Sequence, residues 1–156
     1  MKIGIIADDL TGALDTGLEF WKNGLKTVVL TSHRRLKAHS RGIDAIAIDT
    51  SSRLSSPRRA REKAADAAAY LRKHGAKYFY KKVDSTLRGN VGAEIEAVMD
   101  ELGIRTAVLA PALPEQGRTI VGGHLLVGGK RSGKSFRDPL NPVMEFHVPT
   151  LIKKDT

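Results

Sequence analysis

The 156-residue chain contains no cysteine, which excludes disulfides, thiolate metal sites and a cysteine nucleophile. Aromatic residues make up only 5% and do not interleave with the basic ones, so no stacking platform for single-stranded nucleic acid is visible. No stretch approaches the ~18 apolar residues of a membrane span. The apolar N-terminal run is broken by Asp8 and Asp9 before it reaches the length of a signal peptide. None of His33, His39, His74, His124 and His147 has a partner at metal-ligand spacing, so no metal site is expected. These absences lead us to expect a cytoplasmic protein with neither nucleic acid nor membrane as partner.

Apolar residues at 41% and charged residues at 28% describe a folded chain, and the length suits one domain. The net charge is +9, with much of the excess in 33–41 and 53–63. Such runs read first as a solvated face and second as a seat for an anionic partner. That second reading makes a non-catalytic basic binding module the alternative to an enzyme.

Two periods alternate along the chain. KIGIIA (2–7), KTVVLT (26–31), IDAIAID (43–49), KYFYKKV (77–83) and RTAVLA (105–110) are short apolar runs suited to buried strands. Between them lie helical spacings. Leu10, Leu14, Leu18 and Trp21 lead to a stop at Gly24. Ala60, Ala64, Ala67 and Leu71 follow Ser56-Pro57, an N-cap with proline at the first helical position. Val91, Ile95, Val98 and Leu102 follow Asn90, read as a cap, and end at Gly103. Beyond Pro111, TIVGGHLLVGG (119–129) reads as a β-hairpin around Gly122-Gly123. Residues 130–142 read as a loop, and 143–156 have no strong period. The expected fold is α/β: a mostly parallel sheet with helices on both faces, plus a β-hairpin insertion near the C-terminus.

In such sheets ligands bind outside the carboxyl ends of the strands. After the first strand come Asp8, Asp9 and Thr11; after the third, Asp49 to Arg53; after the fourth, Asp84, Ser85, Thr86 and Arg88; after the fifth, Gln116, Gly117 and Arg118. Hydroxyls, carboxylates and arginines on one rim suit a small, polyhydroxylated, anionic ligand. Of Asp8 and Asp9, one can cap the following helix, while the other orients a hydroxyl, acts as a base or binds Mg²⁺. The Asp-x-Asp pattern of a magnesium phosphatase is not present. Lys82 and Arg88 flank a polar loop that opens a helix. His124 sits in an apolar stretch, where a packing role is the ordinary one. GGKRSGKS (128–135) matches a P-loop in letters, but Pro139 and Pro142 stop the helix that such a loop requires.

Four blocks resemble the four-carbon acid sugar kinase family: IADDLTGALDTG (6–17), YKKVDSTLRGNVGAEI (80–95), APALPEQGRTIVGGHLLVGG (110–129) and DPLNPV (138–143). The resemblance covers essentially the whole chain. It implies an N-terminal domain that binds the sugar acid, such as threonate or erythronate, and a separate C-terminal domain that binds ATP with Mg²⁺. It further implies that Asp9 and Asp15 face the sugar hydroxyls; of the carboxylates on the rim, Asp9 is our preferred catalytic base, because it stands at a strand end within reach of a hydroxyl held by the loop after the fourth strand. By the same resemblance Asp84, Ser85, Thr86, Arg88, Gly117, Arg118 and His124 would bind the substrate, with Arg88 on its carboxylate; Asp8, Thr11 and Lys82, on the same rim of strand ends, are expected to bind it with them. Residues 1–156 are then expected to be the acid-sugar-binding domain, incomplete at its C-terminal end, without the ATP-binding domain and without ATP or Mg²⁺ bound to this chain alone. The expected partners are a small sugar acid, an ATP-binding domain in cis or as a separate chain, and a second copy in a homo-oligomer.

Overall fold

The computed structural model describes residues 2–31, 42–131, 139–140 and 142–155. Its main sheet is parallel, with strands β1 (Ile3–Ala7), β2 (Thr27–Leu30), β3 (Ala45–Asp49) and β4 (Tyr78–Lys82) in the order β2-β3-β1-β4. Helices α1 (Leu10–Lys22), α2 (Pro57–Lys73) and α3 (Val91–Leu102) connect or follow them. A second, antiparallel sheet holds β5 (Arg118–Val121), β6 (His124–Val127) and β7 (Lys130–Arg131), and helix α4 (Val148–Asp155) ends the described chain. The expected parallel α/β architecture and the hairpin are both present. Gly122 and Gly123, at φ +56° and +80°, supply the turn that a two-residue hairpin needs.

Alternation along β1 and β3 divides the interior into two layers. Ile6, Ile46 and Ile48 face one side and pack with Ala64, Ala67, Ala68 and Leu71 of α2 and Ala97 and Val98 of α3. Ile5, Ala7, Ala45 and Ala47 face the other side and meet Ala13 of α1. Large side chains thus fill the α2–α3 side, and small ones let α1 lie close to the sheet.

That small-residue layer sets the orientation of α1, which the apolar spacing that marks the helix does not. The helix buries Gly12, Ala13, Thr16 and Gly17, and its stripe of Leu10, Leu14, Leu18 and Trp21 faces outward, Trp21 being 63% exposed. A Cβ on Gly17 would lie 2.9 Å from Val29 Cγ2, so the approach is too close for a leucine face.

Three expectations are corrected. Residues 105–110 form no strand ladder among the described residues, and Val108 is 94% exposed. The apolar run is there, but it pairs with no neighbouring edge. The tail read as aperiodic contains α4, whose Val148 and Leu151 join Leu87, Val91 and Leu125 in a third apolar cluster. Asn90 occupies the cap position of α3 without a side-chain capping bond; its Nδ2 donates instead to the carbonyls of Ser52 and Ser55, at 3.3 and 3.0 Å. Arg58 and Arg61, which crowd the start of α2, are tolerated because they pair with Glu62 on the same helix and with Glu96 and Asp100 on α3. The basic stretch 33–41 and the second half of the GGKRSGKS run lie outside the described residues; the first half of that run forms the turn between β6 and β7 and strand β7 itself.

Candidate functional site

Parallel register aligns the carboxyl ends of the strands: Ala7 stands beside Asp49 on one side and Lys82 on the other. The loops leaving these ends are knitted together. Thr50 N donates to Ala7 O at 2.9 Å, and Ser52 N and Arg53 N both donate to Asp8 O, at 2.9 and 3.2 Å. The non-glycine residues with left-handed backbone among the described residues are Ser51 (φ +45°) and Leu87 (φ +63°), one in each of two loops at this edge. Such backbone costs on the order of 1–3 kcal/mol and persists where surrounding contacts enforce it. Here Asp49 accepts from Ser51 N and Oγ at 2.7 and 2.8 Å, and Leu87 is buried in the third cluster while its N–H reaches Asp84 O at 2.9 Å.

Arg53 holds the adjacent aspartates. Its Nε and Nη2 donate to Asp8 Oδ2 and Oδ1 at 2.8 and 2.9 Å, and its Nη1 donates to Asp9 Oδ2 at 2.6 Å. Burial alone would lower the Arg53 pKa; the hydrogen bond and charge of Asp8, with the charges of Asp84 and Asp9, outweigh it and raise it. Asp9 is the helix cap of the pair, its Oδ1 accepting from Gly12 N at 2.9 Å. Asp8 is buried behind it.

Asp84 is equally committed. Arg88 Nε and Nη2 donate to its Oδ2 and Oδ1 at 2.8 and 3.0 Å, and the Thr86 hydroxyl donates to Oδ2. Burial works to raise the Asp84 pKa, yet the bonds from Arg88 and Thr86 and the charges of Arg88 and Arg53 hold it well below the usual carboxylate range. Gly89, at φ +92°, lets this loop lie against Asp8: a Cβ there would stand 2.8 Å from Asp8 Oδ2. Gly89→Ala combines that clash with strained backbone, and we expect it to lower the unfolding free energy by about 2 kcal/mol in a urea titration.

Above these pairs lies a groove of about 1120 Å³. Of the residues singled out from sequence, Asp9, Thr11, Asp15, Lys82, Asp84, Ser85, Thr86, Arg88 and Arg118 line it. Asp8 lies beneath it. Gly117 is not on its wall; at φ +70° it ends a 3-10 turn (Pro114–Gln116) and directs the chain into β5. His124 is not on its wall either. Its ring packs against His147, with centroids 4.6 Å apart, where β6 bridges to the segment before α4.

Arg53, Tyr80 and Glu94 were not singled out as site residues. Arg53 and Tyr80 line the groove, and Glu94 supports it from below. Glu94 is 1% exposed; it accepts from Ser52 Oγ at 2.7 Å and faces Lys81 Nζ at 2.7 Å, while Ser52 meets Thr50, whose hydroxyl reaches Ala7 O at 2.8 Å. One signal for Glu94 was present: it falls three residues after Val91 and four before Val98, on the buried stripe of α3.

A family model described as the sugar-binding N-terminal domain matches residues 3–156. The chain is 35% identical to a 3-oxo-tetronate kinase of Escherichia coli K12, over 98% of this chain and 41% of the relative. It is 40% identical to a D-erythronate kinase of Heliobacterium modesticaldum, over 97% of this chain and 35% of the relative. Among solved structures, one from Bordetella bronchiseptica, described as a domain of unknown function with bound citrate in a domain-swapped dimer, superposes with a TM-score of 0.91 at 38% identity, over 98% of this chain and 40% of that one. The chain thus spans about two-fifths of the length of these relatives.

Proposed function

This chain belongs to the family of sugar-binding N-terminal domains found in four-carbon acid sugar kinases, and on that premise we propose that its groove holds the sugar acid that such a kinase phosphorylates. The observation that carries the reading is the groove itself, which gathers carboxylates, hydroxyls and cations from the loops after β1, β3 and β4 and from the start of β5 around one opening. Carboxylates and hydroxyls suit a polyol, and cations suit its acid group.

We assign Asp9 as the group that accepts the reacting hydroxyl's proton. It lines the groove, and Gly12 N and Arg53 fix both its oxygens in direction, as an oriented base requires. Phosphoryl transfer depends chiefly on positioning and charge stabilisation, so holding the acid in one pose is the larger contribution of this domain.

A magnesium ion does not fit at the Asp8–Asp9 pair. Both oxygens of Asp8 and one of Asp9 already carry Arg53, whose cation competes with a metal ion for the same place. We therefore place the nucleotide in a separate part of a full-length kinase, joined in cis or supplied by another chain. A second copy of this chain is a further proposed partner, supported by the dimeric description of the Bordetella structure.

Calorimetric titration of the 156-residue chain with D-erythronate and D-threonate tests the reading. Saturable heat in the millimolar range or tighter is expected, with no acid-dependent ADP release when ATP and magnesium are added. A folded chain that gives no heat with either acid contradicts it.

A further inference from the structure

We propose that the ligand's carboxylate is received by Lys82 and Arg118, and that Arg88, the partner implied by the family resemblance, serves instead to hold Asp84. The assignment rests on the sugar-acid reading of the groove.

Four cations line the groove: Arg53, Lys82, Arg88 and Arg118. Two of them are neutralised within the protein. Arg53 spreads its fork over Asp8 and Asp9, and Arg88 sets two nitrogens on Asp84. An incoming carboxylate at either would meet compensated charge, and would compete with an aspartate held by paired, charge-assisted bonds. The pKa directions agree: Asp84 stays ionised and Arg53 is held more firmly protonated.

Lys82 and Arg118 are different. Neither forms an ion pair among the described residues. Lys82 Nζ donates to the Val83 carbonyl at 2.7 Å, which leaves donors over. Arg118 Nη1 donates to the side-chain oxygen of Gln116, and its Nε is buried with no hydrogen-bond partner. A buried, unpaired guanidinium N–H is costly, and a ligand oxygen that reaches it removes the cost. Nε with a neighbouring Nη is also the edge by which arginine grips a carboxylate through two parallel bonds. The two cations reach the groove from the end of β4 and the start of β5, so the main sheet and the hairpin sheet each supply one side of the seat.

The same division sorts the neutral contacts. Asp9, Asp84 and Thr86 are bound to other protein groups, whereas the side chains of Thr11, Asp15 and Ser85 have no hydrogen-bond partner among the described residues. The latter group is left to meet the ligand's remaining hydroxyls, beside the reacting one that faces Asp9.

Parallel titrations with D-erythronate and with erythritol, its neutral counterpart of equal chain length, test the assignment. The wild-type chain is expected to prefer the acid. Lys82→Met and Arg118→Met should each weaken erythronate by about ten- to a hundredfold, the weight of one charge-assisted hydrogen bond, and leave erythritol unchanged. Arg118→Lys should restore only part of the loss, because an ammonium lacks the fork. Arg88→Lys should lower the melting temperature but keep the acid-to-tetrol preference. Circular dichroism checks each fold, and Arg118→Gln replaces Arg118→Met if the latter unfolds. An unchanged preference in the Lys82 and Arg118 variants, or its loss in Arg88→Lys alone, overturns the assignment. Wild-type binding of neither ligand overturns the sugar-acid reading and this assignment with it.

Discussion

Replacing Glu94 by alanine should lower the unfolding free energy by about 3–5 kcal/mol, the cost of removing one partner from a buried ion pair. Glu94 is almost completely enclosed, and Lys81, 2.7 Å away, keeps only 10% of its side-chain surface. Alanine leaves that ammonium without its counter-charge and deprives Ser52 Oγ of its acceptor. Ser52 Oγ lies 2.7 Å from the Thr50 hydroxyl, which donates to the Ala7 carbonyl, so the loop after β3 loosens together with the end of β1. Chemical denaturation measures the effect. The double variant Lys81→Met/Glu94→Leu, which removes both charges and keeps volume, should recover most of the loss, because an apolar pair has no charge to desolvate. A single variant within about 1 kcal/mol of wild type would show that the pair does not hold the loop.

Arg53→Met is the second large effect. It strands two carboxylates at once, Asp8 with 5% and Asp9 with 27% of its side chain exposed. We expect a loss of about 3 kcal/mol, at the low end for a buried pair because Asp9 still reaches water. The site should suffer as well: Asp9 loses the bond that fixes one of its oxygens, so sugar-acid binding should weaken even in the fraction that stays folded. Thermal melting and calorimetry separate the two consequences. Adding Asp8→Asn should recover part of the stability and none of the binding, since the substituted amide has no excess charge but leaves Asp9 unheld.

Much of the scaffold was readable from the letters alone. Short apolar runs at 2–7, 26–31, 43–49 and 77–83, the first pair and the last pair each separated by a helical period with a glycine stop, became β1 to β4, and topology then placed the functional loops on one edge. The misreadings have physical reasons. On α1 two stripes compete, and the small one wins because Ala7, Ala45 and Ala47 leave room only for a close helix. Residues 105–110 have strand composition, but a ladder needs an edge, and local sequence does not say which edge is offered. The Asn90 amide reaches carbonyls about 35 residues away, a choice invisible to a capping rule.

The site divides in the same way. That Asp8, Asp9, Asp84 and Arg88 belong to one rim follows from strand order. Which of them remain available to a ligand depends on pairings across the fold, such as Arg53 with Asp8 at a separation of 45 residues. Arg53 stood in one of the loops noted from sequence, yet nothing local distinguished it from the arginines at the start of α2.

The most direct test of the central claim is amide chemical-shift mapping of the 156-residue chain during titration with D-erythronate. The account predicts perturbations clustered around Gly12, Asp15, Ser85, Thr86 and Arg118, on the loops that border the groove. Perturbations centred elsewhere, or none at saturating acid, would contradict it.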